Sequence, residues 1–386
     1  MRQAECLPNG HPVPLREDLH LISNKIQEGL KLGVRLAVEP AATFVAGNTA
    51  GIEVEDEMGT RTTLLRRRFL HLAAGAVALP ALARIAHGQA YPSRPVRIIV
   101  PFAPAGPNDI IARALGQWLA ERLGQPFVIE NRPGAASNVG TEAVVNAAPD
   151  GYTVLMVSSP HAINATLYDK LHFEFRRDIA PVAAIMRVPN VMVVDRTFPA
   201  RSVPDFISYA KANPDKLNFA SSGIGASNHM SGELFKIMTG IAMAHVPYRS
   251  SGPALTDLLG GRVQVMFDAI TSTIEHIRSD RLRSLAVTSA PRSTLLPDTP
   301  VMGDFVPGYD VNNWFGLGMP NHTSAEVIDR LNTAVNEGLV DAGLKARFAG
   351  MGGTPLRGSP SDFGKLIADE TEKWGMVIRT ANIKPE

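Results

Sequence analysis

Apolar runs alternate with stretches of helical periodicity along most of the chain. The run VRIIV at 96–100 precedes a segment, 110–123, in which apolar residues recur every three or four positions, and FVIE follows at 127–130. Later apolar runs are TVLMV, NVMVV, LNFA, VQVMF and LRSLAV. Helical segments are predicted between and after them, near 203–212, 229–239, 252–259, 324–338 and 360–379. Such alternation is typical of βαβ units, so the pattern predicts an α/β fold of mainly parallel sheets with helices on both faces.

Residues 91–386 are too many for one comfortable hydrophobic core. We therefore expect two lobes, the first built from 91–190 and 314–386 and the second from 191–313. The runs PNVMVV and NNWFGLGMP stand near the two expected crossings and are extended and apolar. They are interpreted as strands that pass between the lobes and form a hinge, as in proteins that close around a ligand.

Residues 58–90 have the composition of a targeting segment. A basic cluster, RRRFL at 66–70, leads into an alanine- and leucine-rich stretch and then into the small-residue string HGQA. This order is that of a secretory signal peptide, and we expect export to the periplasm with cleavage near Ala90. RRRFL resembles a twin-arginine motif, but Leu65 stands where Ser or Thr is usual, so the Sec route stays open. The apolar stretch is shorter than the roughly 18 residues of a membrane span.

Residues 1–57 are interpreted as a mis-assigned N-terminal extension, because Met58 offers another initiator and a signal peptide normally stands first. The alternative for the targeting segment is an amphipathic helix with a basic start. The extension and the signal peptide are both left out of the fold prediction.

Charge and cysteine content narrow the possible functions. Lys plus Arg number 38 against 37 for Asp plus Glu, and no basic stripe with interleaved aromatics is present, so nucleic acid is not expected as a partner. The lone Cys6 forms neither a disulfide framework nor a cysteine-rich metal site. The ten histidines show no metal-ligand spacing, and Asn228 replaces the third glycine of a dinucleotide fingerprint that would begin at Gly223. We predict neither a metal nor a cofactor.

Four loops share one pattern, in which an apolar strand runs into Gly, Ser, Pro or Asn and then into a helix. They are loop 1 (FAPAGPND, 102–109), loop 2 (NRPGAASNVG, 131–140), loop 3 (VSSPHAIN, 157–164) and loop 4 (ASSGIGASNH, 220–229). This arrangement places unpaired backbone N–H groups and a positive helix dipole end at the carboxyl edge of a sheet, where anions bind. In loop 1, Asn108 or Asp109 is expected to cap the helix, and a plain turn with a cap is the structural alternative.

Loop 4 is the strongest candidate anion site. Ser221, Ser222 and Ser227 would point with several peptide N–H groups to one place, and in loop 3 Ser158, Ser159 and Asn164 are further donors. The segment PYRSSG at 247–252 and Asp268, at the end of VQVMFD, are expected to face loop 4. Asp268 would accept hydrogen bonds from a ligand amine or hydroxyl, or it caps the next helix.

The alternative to a binding protein is a serine hydrolase of small esters or amides. His229 stands near several serines, and Ser222 or Ser227 would be the reactive group. Residues 225–229 read GASNH, which lacks the final small residue of a nucleophile elbow. We therefore predict a protein without enzymatic activity.

Several long strings together resemble the Bug-type extracytoplasmic solute receptors of the tripartite tricarboxylate transporters, also called TctC-like proteins. The strings are YPSRPVRIIVPFAPAGPNDIIAR, ENRPGAASNVG, APDGYTVL, SSGIGASNHMSGELF, HVPYRSSGPALTDLLGGRVQVMFD and NNWFGLGMP. The resemblance covers 91–386 in order. It implies a two-lobe periplasmic binding protein of the Venus flytrap type (type II-like). The expected monomer would capture a di- or tricarboxylate, an amino acid or an aromatic acid and deliver it to an integral membrane permease. A receptor that serves a sensor kinase instead is the other possibility.

The resemblance also implies the ligand-binding residues, carried over by position. The candidates are Pro104, Ala105, Gly106, Pro107, Asn108, Asp109, Ser137, Ser158, Asn164, Ser221, Ser222, Ser227, His229 and Asp268. The chain departs from the family pattern at two places that affect the pocket. Ala105 and Gly106 stand where loop 1 usually has two glycines, and Ala136 and Ser137 stand where loop 2 usually has two glycines. Each added Cβ narrows the pocket, so the identity of the ligand stays open.

Overall fold

A computed structural model describes residues 91–290 and 292–385. The predicted extension at 1–57 and the signal peptide with its cleavage site at Ala90 lie outside these residues. No helix in the two described ranges is long and apolar enough to cross a membrane.

The described chain alternates strands and helices. The strands are β1 (Val96–Val100), β2 (Phe127–Asn131), β3 (Thr153–Ser158), β4 (Ile179–Asp195), β5 (Asn218–Ser221), β6 (Ala244–Pro247), β7 (Val265–Ala269), β8 (Leu282–Val287), β9 (Asn312–Pro320) and β10 (Thr354–Pro355). The helices are α1 (Pro107–Leu123), α2 (Asn138–Val145), α3 (Ser159–Leu167), α4 (Phe175–Asp178), α5 (Val203–Ala212), α6 (Ser227–Thr239), α7 (Ser251–Leu259), α8 (Ile270–Arg278), α9 (Ala325–Gly338), α10 (Ala342–Gly350) and α11 (Pro360–Thr380). These bounds confirm the helices predicted from periodicity to within about two residues.

The strands form two sheets that share β4. In the order β2-β1-β3-β9-β4, the first sheet pairs β1 in parallel with β2 and β3. In the order β4-β7-β5-β6, the second pairs β5 in parallel with β6 and β7. Every pair that includes β4 or β9 is antiparallel, and β8 and β10 also pair with β4. We call the first sheet with its helices lobe 1 and the second lobe 2. The parallel pairs are those of the predicted βαβ units, and the long connecting strands make both sheets mixed.

β4 passes from one lobe to the other without a break. Its first part pairs with β9 as far as Pro189, opposite Asn312, and its second part pairs with β7 from Asn190, opposite Ala269. β9 begins at the same crossing. The two strands interpreted as a hinge therefore lie side by side where the sheets meet.

One hydrophobic cluster extends through both lobes and surrounds α11. It contains Leu155 and Ile163 of lobe 1, Met192 and Phe267 of lobe 2, and Trp374 of α11, all fully buried. A second cluster packs α1, α9 and α10 on lobe 1, and a third packs α7 and α8 on lobe 2. The shared cluster holds the two lobes against a common helix.

Gly316 of β9 allows α11 to pack closely on the sheet. A Cβ at Gly316 would lie 2.2 Å from Cζ of Phe363 and 2.6 Å from the carbonyl oxygen of Ala183. No side chain fits there, because real Cβ atoms do not approach other atoms so closely. The first glycine of the GLG string in NNWFGLGMP is thus explained by helix-on-sheet packing, whereas a Cβ at Gly318 would meet Ile179 and Val157 of the neighbouring strands.

Candidate functional site

The four loops leave the carboxyl ends of parallel strands, as predicted. In lobe 1, loops 1, 2 and 3 follow β1, β2 and β3. In lobe 2, loop 4 follows β5, the segment 248–250 follows β6, and Asp268 is the penultimate residue of β7. Each lobe therefore presents one edge lined by strand-to-helix turns, the usual position of ligand sites in α/β proteins.

The two edges meet at the crossing strands. Ser158, the last residue of β3, pairs with Phe315 of β9, and Ala269, the last residue of β7, pairs with Asn190 of β4. The residue before Asn190 pairs with Asn312, three positions from Phe315. At about 3.3 Å per residue, the two edges are thus separated by roughly 10 Å along the strands.

Three helices at these edges begin without a side-chain cap. The N-cap residues of α1, α6 and α7 are Gly106, Ala226 and Ser250. At none of these positions does a side chain accept a hydrogen bond from a backbone N–H of the helix. By contrast, α5, α10 and α11, which do not follow parallel strands, are capped by serine or aspartate side chains. The edges of the two lobes therefore offer N–H groups and positive dipole ends to an anion.

Loop 1 is closed by Asp109. Its Oδ2 accepts hydrogen bonds from the Ala105 N–H (2.9 Å) and from Nε of Arg113 (3.0 Å). Burial raises the pKa of Asp109, but these hydrogen bonds outweigh it and hold the pKa below its ordinary value. The expectation that Asn108 or Asp109 caps α1 is wrong, because the N-cap is Gly106 and both residues lie inside the first turn.

The tip of loop 1 is exposed. Pro104, Ala105 and Pro107 are open to solvent, and Ala105 has a left-handed backbone with φ 65°. Asn108 is half-buried, and its Oδ1 has no hydrogen-bond partner among the described residues. Asn108 therefore retains an acceptor that a ligand or a water molecule can use.

Loop 2 has three consecutive left-handed residues, none of which is glycine. The φ angles are 43° at Ala135, 51° at Ala136 and 83° at Ser137. Residues with a Cβ adopt this conformation at a cost of roughly 1–2 kcal/mol each. The loop keeps a backbone shape suited to glycine although this chain carries Ala136 and Ser137.

Asn164 of α3 fixes loop 2. Its Nδ2 donates to the carbonyl oxygen of Ala136 (2.6 Å), to Oδ1 of Asn138 (3.2 Å) and to Oγ of Ser137 (3.4 Å). Ser137 and Asn164 are both buried. The structure thus brings together these two candidates from different loops, with Asn164 bonded to protein groups.

Loop 3 anchors the start of α3 to β9. Ser159 Oγ accepts the N–H of Trp314 (3.0 Å), and the Ser158 N–H donates to Nδ1 of His161 (3.1 Å). Nδ1 also lies 2.9 Å from the Ser158 carbonyl oxygen, and burial lowers the pKa of His161 to about 4, so this imidazole is neutral. Ser158 is buried at the end of β3, beside the hinge.

Asn228 organises loop 4. Its Oδ1 accepts from the Ser222 N–H (3.1 Å), the Ser222 Oγ (3.2 Å) and the His229 N–H (3.0 Å), and its Nδ2 donates to Oδ1 of Asp268 (3.0 Å). In the sequence, Asn228 stands out only because it interrupts a glycine fingerprint. An asparagine in the first turn of a helix that follows a serine-rich loop is the signal that could have revealed this role.

Asp268 is a buried carboxylate with one unoccupied oxygen. Its Oδ1 accepts from Asn228 and from Ser251 Oγ (2.9 Å), and Ser272 and the Ala269 N–H are further donors beside the carboxylate, while Oδ2 is buried and receives no well-formed hydrogen bond from a described residue. Burial raises the pKa of Asp268 despite these donors. The alternative that Asp268 caps the next helix is wrong, because the N-cap of α8 is Ala269.

His229 supports loop 4 from inside. Its Nδ1 accepts the N–H of Gly225 (3.1 Å), and its ring stacks on His245 with 3.8 Å between centroids. Phe219 stacks on both rings, with 4.8 Å to the His245 centroid and 6.1 Å to the His229 centroid. Burial lowers the pKa of His229 to about 3 and that of His245 to about 4. The two stacked imidazoles are therefore uncharged, and they form an aromatic support beneath loop 4.

The geometry that a serine hydrolase needs is incomplete. Ser222 and Ser227 contact asparagine amides, not a histidine. Ser221 Oγ does lie 2.6 Å from Nε2 of His245, but Ser221 is fully buried. Within residues 91–290 and 292–385, no carboxylate hydrogen-bonds to His245, so this pair lacks the group that orients the base of a triad.

Asn190 links the hinge to lobe 2. It is fully buried, accepts a hydrogen bond from Nδ2 of Asn313, and donates to Oγ of Ser231 (3.1 Å) and of Ser227 (3.4 Å). Neither asparagine was singled out in the sequence, where each is one polar residue beside an apolar run. Ser227 is thus a hinge contact as well as the first residue of α6.

Loop 4 also touches lobe 1 directly. Gly225 has φ 76°, and a Cβ there would lie 2.6 Å from Cδ2 of Leu167 and 3.7 Å from Cγ2 of Ile163, both in α3. The loop of lobe 2 therefore rests on the helix that follows loop 3 of lobe 1.

Comparison with known proteins gives consistent matches along the chain. Residues 111–383 match the profile of the tripartite tricarboxylate transporter family receptor. Protein BugT of Bordetella pertussis is 37% identical over 326 residues, which cover 84% of this chain and 98% of that protein.

Two solved structures with bound ligands are also similar. Rpa4515 of R. palustris with adipate has a TM-score of 0.69 and 36% identity, and the match covers 77% of this chain and all of that one (100%). MatC from Rhodopseudomonas palustris with bound malate has a TM-score of 0.65 and 30% identity, covering 75% of this chain and 100% of that one.

Proposed function

The chain belongs to the tripartite tricarboxylate transporter receptor family, and we propose that it captures one small dicarboxylate between the edges of its two lobes. Membership confirms the resemblance noted in the sequence, and the similar solved structures confirm a two-lobe binding-protein fold. The family consists of solute-binding receptors, so carboxylate binding is the expected function of this fold.

One observation carries the proposal: uncapped helix N-termini from both lobes open onto two strand edges that meet at the hinge. A carboxylate placed there would replace the missing caps. No candidate ligand-binding residue is Lys or Arg, and the nearby Arg113 already forms an ion pair with Asp109. The negative charge is therefore balanced by peptide N–H groups and hydroxyls, as at other helix N-termini.

The ligand class follows from the similar proteins and from the buried acceptors. Adipate and malate are bound by two relatives, and both are dicarboxylates with an extended carbon chain. Two carboxylates suit a site with an anion-binding edge on each lobe. Asp268 Oδ2 lacks a donor among the described residues and would accept one from a ligand hydroxyl, as malate offers.

Binding would act by stabilising the closed arrangement. A ligand that contacts both edges has higher affinity for the closed form, and this difference shifts the open–closed equilibrium. Catalysis is not part of the proposed function, so the ligand leaves chemically unchanged.

Native mass spectrometry of the purified protein, followed by calorimetry with adipate and malate, tests this function. We expect a one-to-one complex with at least one of the two acids and recovery of that acid unaltered. Replacing both Ser221 and Ser222 by Ala should weaken binding by about 1–3 kcal/mol, because Ser222 Oγ bonds to Asn228 and Ser221 Oγ accepts the Gly223 N–H, and these bonds hold the N–H groups of loop 4 in place. Hydrolysis of a small ester, with labelling of Ser222 or Ser227, or of Ser221 beside His245, by a serine-reactive probe, would favour the hydrolase instead.

We further propose that the receptor is exported, cleaved near Ala90 and works as a monomer with the permease subunits of a tripartite transporter. Members of the family are periplasmic binding proteins, and the transporter is part of the family's description. N-terminal sequencing of the periplasmic form tests the cleavage site. Capture of a sensor kinase instead of a permease in a crosslinking experiment would favour the sensor role.

A further inference from the structure

We propose that a second, smaller cavity at the hinge binds a tetrahedral oxyanion such as inorganic phosphate. The cavity has a volume of about 40 Å³. Side chains that line it and can contact an anion are Arg187, Arg292, Ser293, Thr294, Asn312 and Thr354. None of the residues predicted to bind the carboxylate ligand is among its lining residues.

The charge of the lining favours an anion. It includes two guanidinium groups and no carboxylate. The guanidinium of Arg187, half-buried on β4, has no hydrogen bond or ion pair with any residue of the described chain, and that of Arg292 makes only a long contact of 3.5 Å to the Pro297 carbonyl oxygen. A half-buried arginine without a counter-ion is unusual, because guanidinium groups in such places are normally paired.

Polar groups around the two arginines complete the site. Ser293 is buried, and the hydroxyls of Thr294 and Thr354 also line the cavity. Asn312 donates through Nδ2 to Asp310 (2.8 Å), while its Oδ1 is buried without a partner among the described residues. Hydrogen phosphate matches this set, since it offers oxygens to the arginines and hydroxyls and one O–H to Asn312.

The size of the cavity sets the class of anion. A water molecule needs roughly 10–15 Å³ of such space, so about 40 Å³ holds around three water-sized groups. One compact tetrahedral anion would fill this space with three of its oxygens and turn the fourth toward the exposed residues Arg292 and Thr294, whereas an extended dicarboxylate is too large for it. The occupant is therefore different from the ligand proposed for the main site.

The walls of the cavity come from both lobes. Arg187 and Thr354 face each other across the pairing of β4 with β10 in lobe 1, whereas Arg292 and Ser293 follow β8 of lobe 2. An anion held by both walls would stabilise the present arrangement of the lobes. Anion and carboxylate ligand would then change each other's affinity by the same factor, as linkage requires.

Calorimetric titration with inorganic phosphate, at an ionic strength held constant with chloride, tests the site. We expect saturable binding of one phosphate that weakens about tenfold in Arg187→Gln and in Arg292→Gln, because each loses a charge-assisted hydrogen bond. Arg176→Gln, an exposed arginine of α4, is the matched control and should bind as the parent does. Arg292 lies on an exposed loop, so its variant keeps the test valid if Arg187→Gln folds poorly.

The phosphate site and the carboxylate site can fail independently. Asn228→Ala, which disrupts loop 4, should leave phosphate binding within about twofold of the parent. Equal phosphate binding by the parent and both arginine variants would overturn the hinge site, and so would binding lost only in Asn228→Ala, because the anion would then occupy the main site.

Discussion

Asn313 donates from its side-chain amide to Oδ1 of Asn190 at 2.8 Å, and this bond joins the two strands that cross between the lobes. Asn190 passes the connection on to Ser231 and Ser227 at the start of α6. The helix that carries loop 4 is thus tied to the hinge by side chains as well as by the backbone. A change at the hinge reaches the proposed ligand site through a short chain of hydrogen bonds.

Replacing Asn190 with Ala should lower the free energy of unfolding by about 2–4 kcal/mol. The substitution leaves the half-buried Asn313 amide and the Ser227 hydroxyl without this partner, while Ser231 Oγ keeps its bond to the Ser227 carbonyl oxygen, and each unsatisfied group costs roughly 1–3 kcal/mol. Urea denaturation measures the change. Asn213→Ala is the control, because this half-buried amide makes a single hydrogen bond to the Tyr209 carbonyl, so about 1 kcal/mol is expected. Equal losses in the two variants would show that the hinge network contributes no special stability.

Replacing Ala136 with Gly should raise the free energy of unfolding by about 0.5–1 kcal/mol. The gain comes from relief of a left-handed backbone, reduced by the greater entropy of glycine in the unfolded chain. Ala143→Gly, in the middle of α2, has no such strain to relieve and should lose about 0.5–1 kcal/mol. Thermal or urea unfolding shows whether the free energy of unfolding rises or falls in each variant. Destabilisation by Ala136→Gly would show that the backbone of loop 2 is not strained at this position.

The sequence revealed the strand-to-helix loops better than the groups that hold them. Loops 1 to 4 were predictable because each depends on a local signal, an apolar run followed by Gly, Pro or Ser. β4 was only partly predicted, because Pro181 and Pro189 interrupt it and proline normally argues against a central strand. Its long antiparallel pairing with β9 joins residues more than a hundred positions apart, which no local pattern records.

The candidate site shows the same limit. Asn228, Asn190 and Asn313 act through partners distant in sequence, such as Asp268 for Asn228, so their roles depend on the folded arrangement. His229 illustrates the converse: a histidine in a polar string suggests an exposed group, yet stacking on His245 places it inside the lobe. The residue types in the loops indicated that the strand edges bind an anion. The packing of the folded chain determined which polar side chains there are available to a ligand.

Acidification should destabilise the protein through the histidine pair. The pKa values of His229 and His245 in the folded protein, about 3 and about 4, lie below the ordinary value of 6.5. The unfolded chain therefore takes up protons first, and the stability these neutral rings provide is complete above pH 6.5 and declines as pH falls toward 4. Lys236 and Glu233 on α6 are the charged groups beside the pair.

Urea midpoints at about pH 7.5 and about pH 5 measure this effect. His229→Gln should show a smaller difference between the two midpoints than the parent, because one titrating group is gone. His172→Gln, at an exposed position, should keep the parent's difference. If all three proteins change equally with pH, the acid sensitivity arises from other groups.

Asn228→Ala should weaken binding of the dicarboxylate ligand by about 10–100-fold. The variant removes the acceptor that holds Ser222 and the donor to Asp268, so the N–H groups of loop 4 lose their common direction. Calorimetry with whichever of adipate and malate binds the parent gives the number. Asn336→Ala is the matched control, since its amide braces Gly358 in the same manner far from the loops, and its affinity should stay within about twofold. Parent-like affinity in Asn228→Ala would place the ligand away from loop 4.

Gly225→Ala tests whether loop 4 must rest on α3 for the protein to hold its ligand. The substitution adds a strained left-handed alanine and a Cβ only 2.6 Å from Leu167. Gly240→Ala separates the two effects, because Gly240 has a similar φ of 66° but no atom within 4 Å of its Cβ position. Both variants should lose about 1–2 kcal/mol of unfolding free energy from backbone strain.

Only Gly225→Ala should also lose ligand affinity, by about tenfold, because its Cβ would collide with Leu167 and push loop 4 away from α3, so that the edges of the two lobes no longer meet as they do here. Adding Leu167→Ala to Gly225→Ala should recover part of that affinity by removing the obstructing methyl group, although the double variant loses core packing and is less stable. Equal affinities in Gly225→Ala and Gly240→Ala would mean that the ligand is held without this contact. Loop 4 and α3 would then touch without taking part in closure.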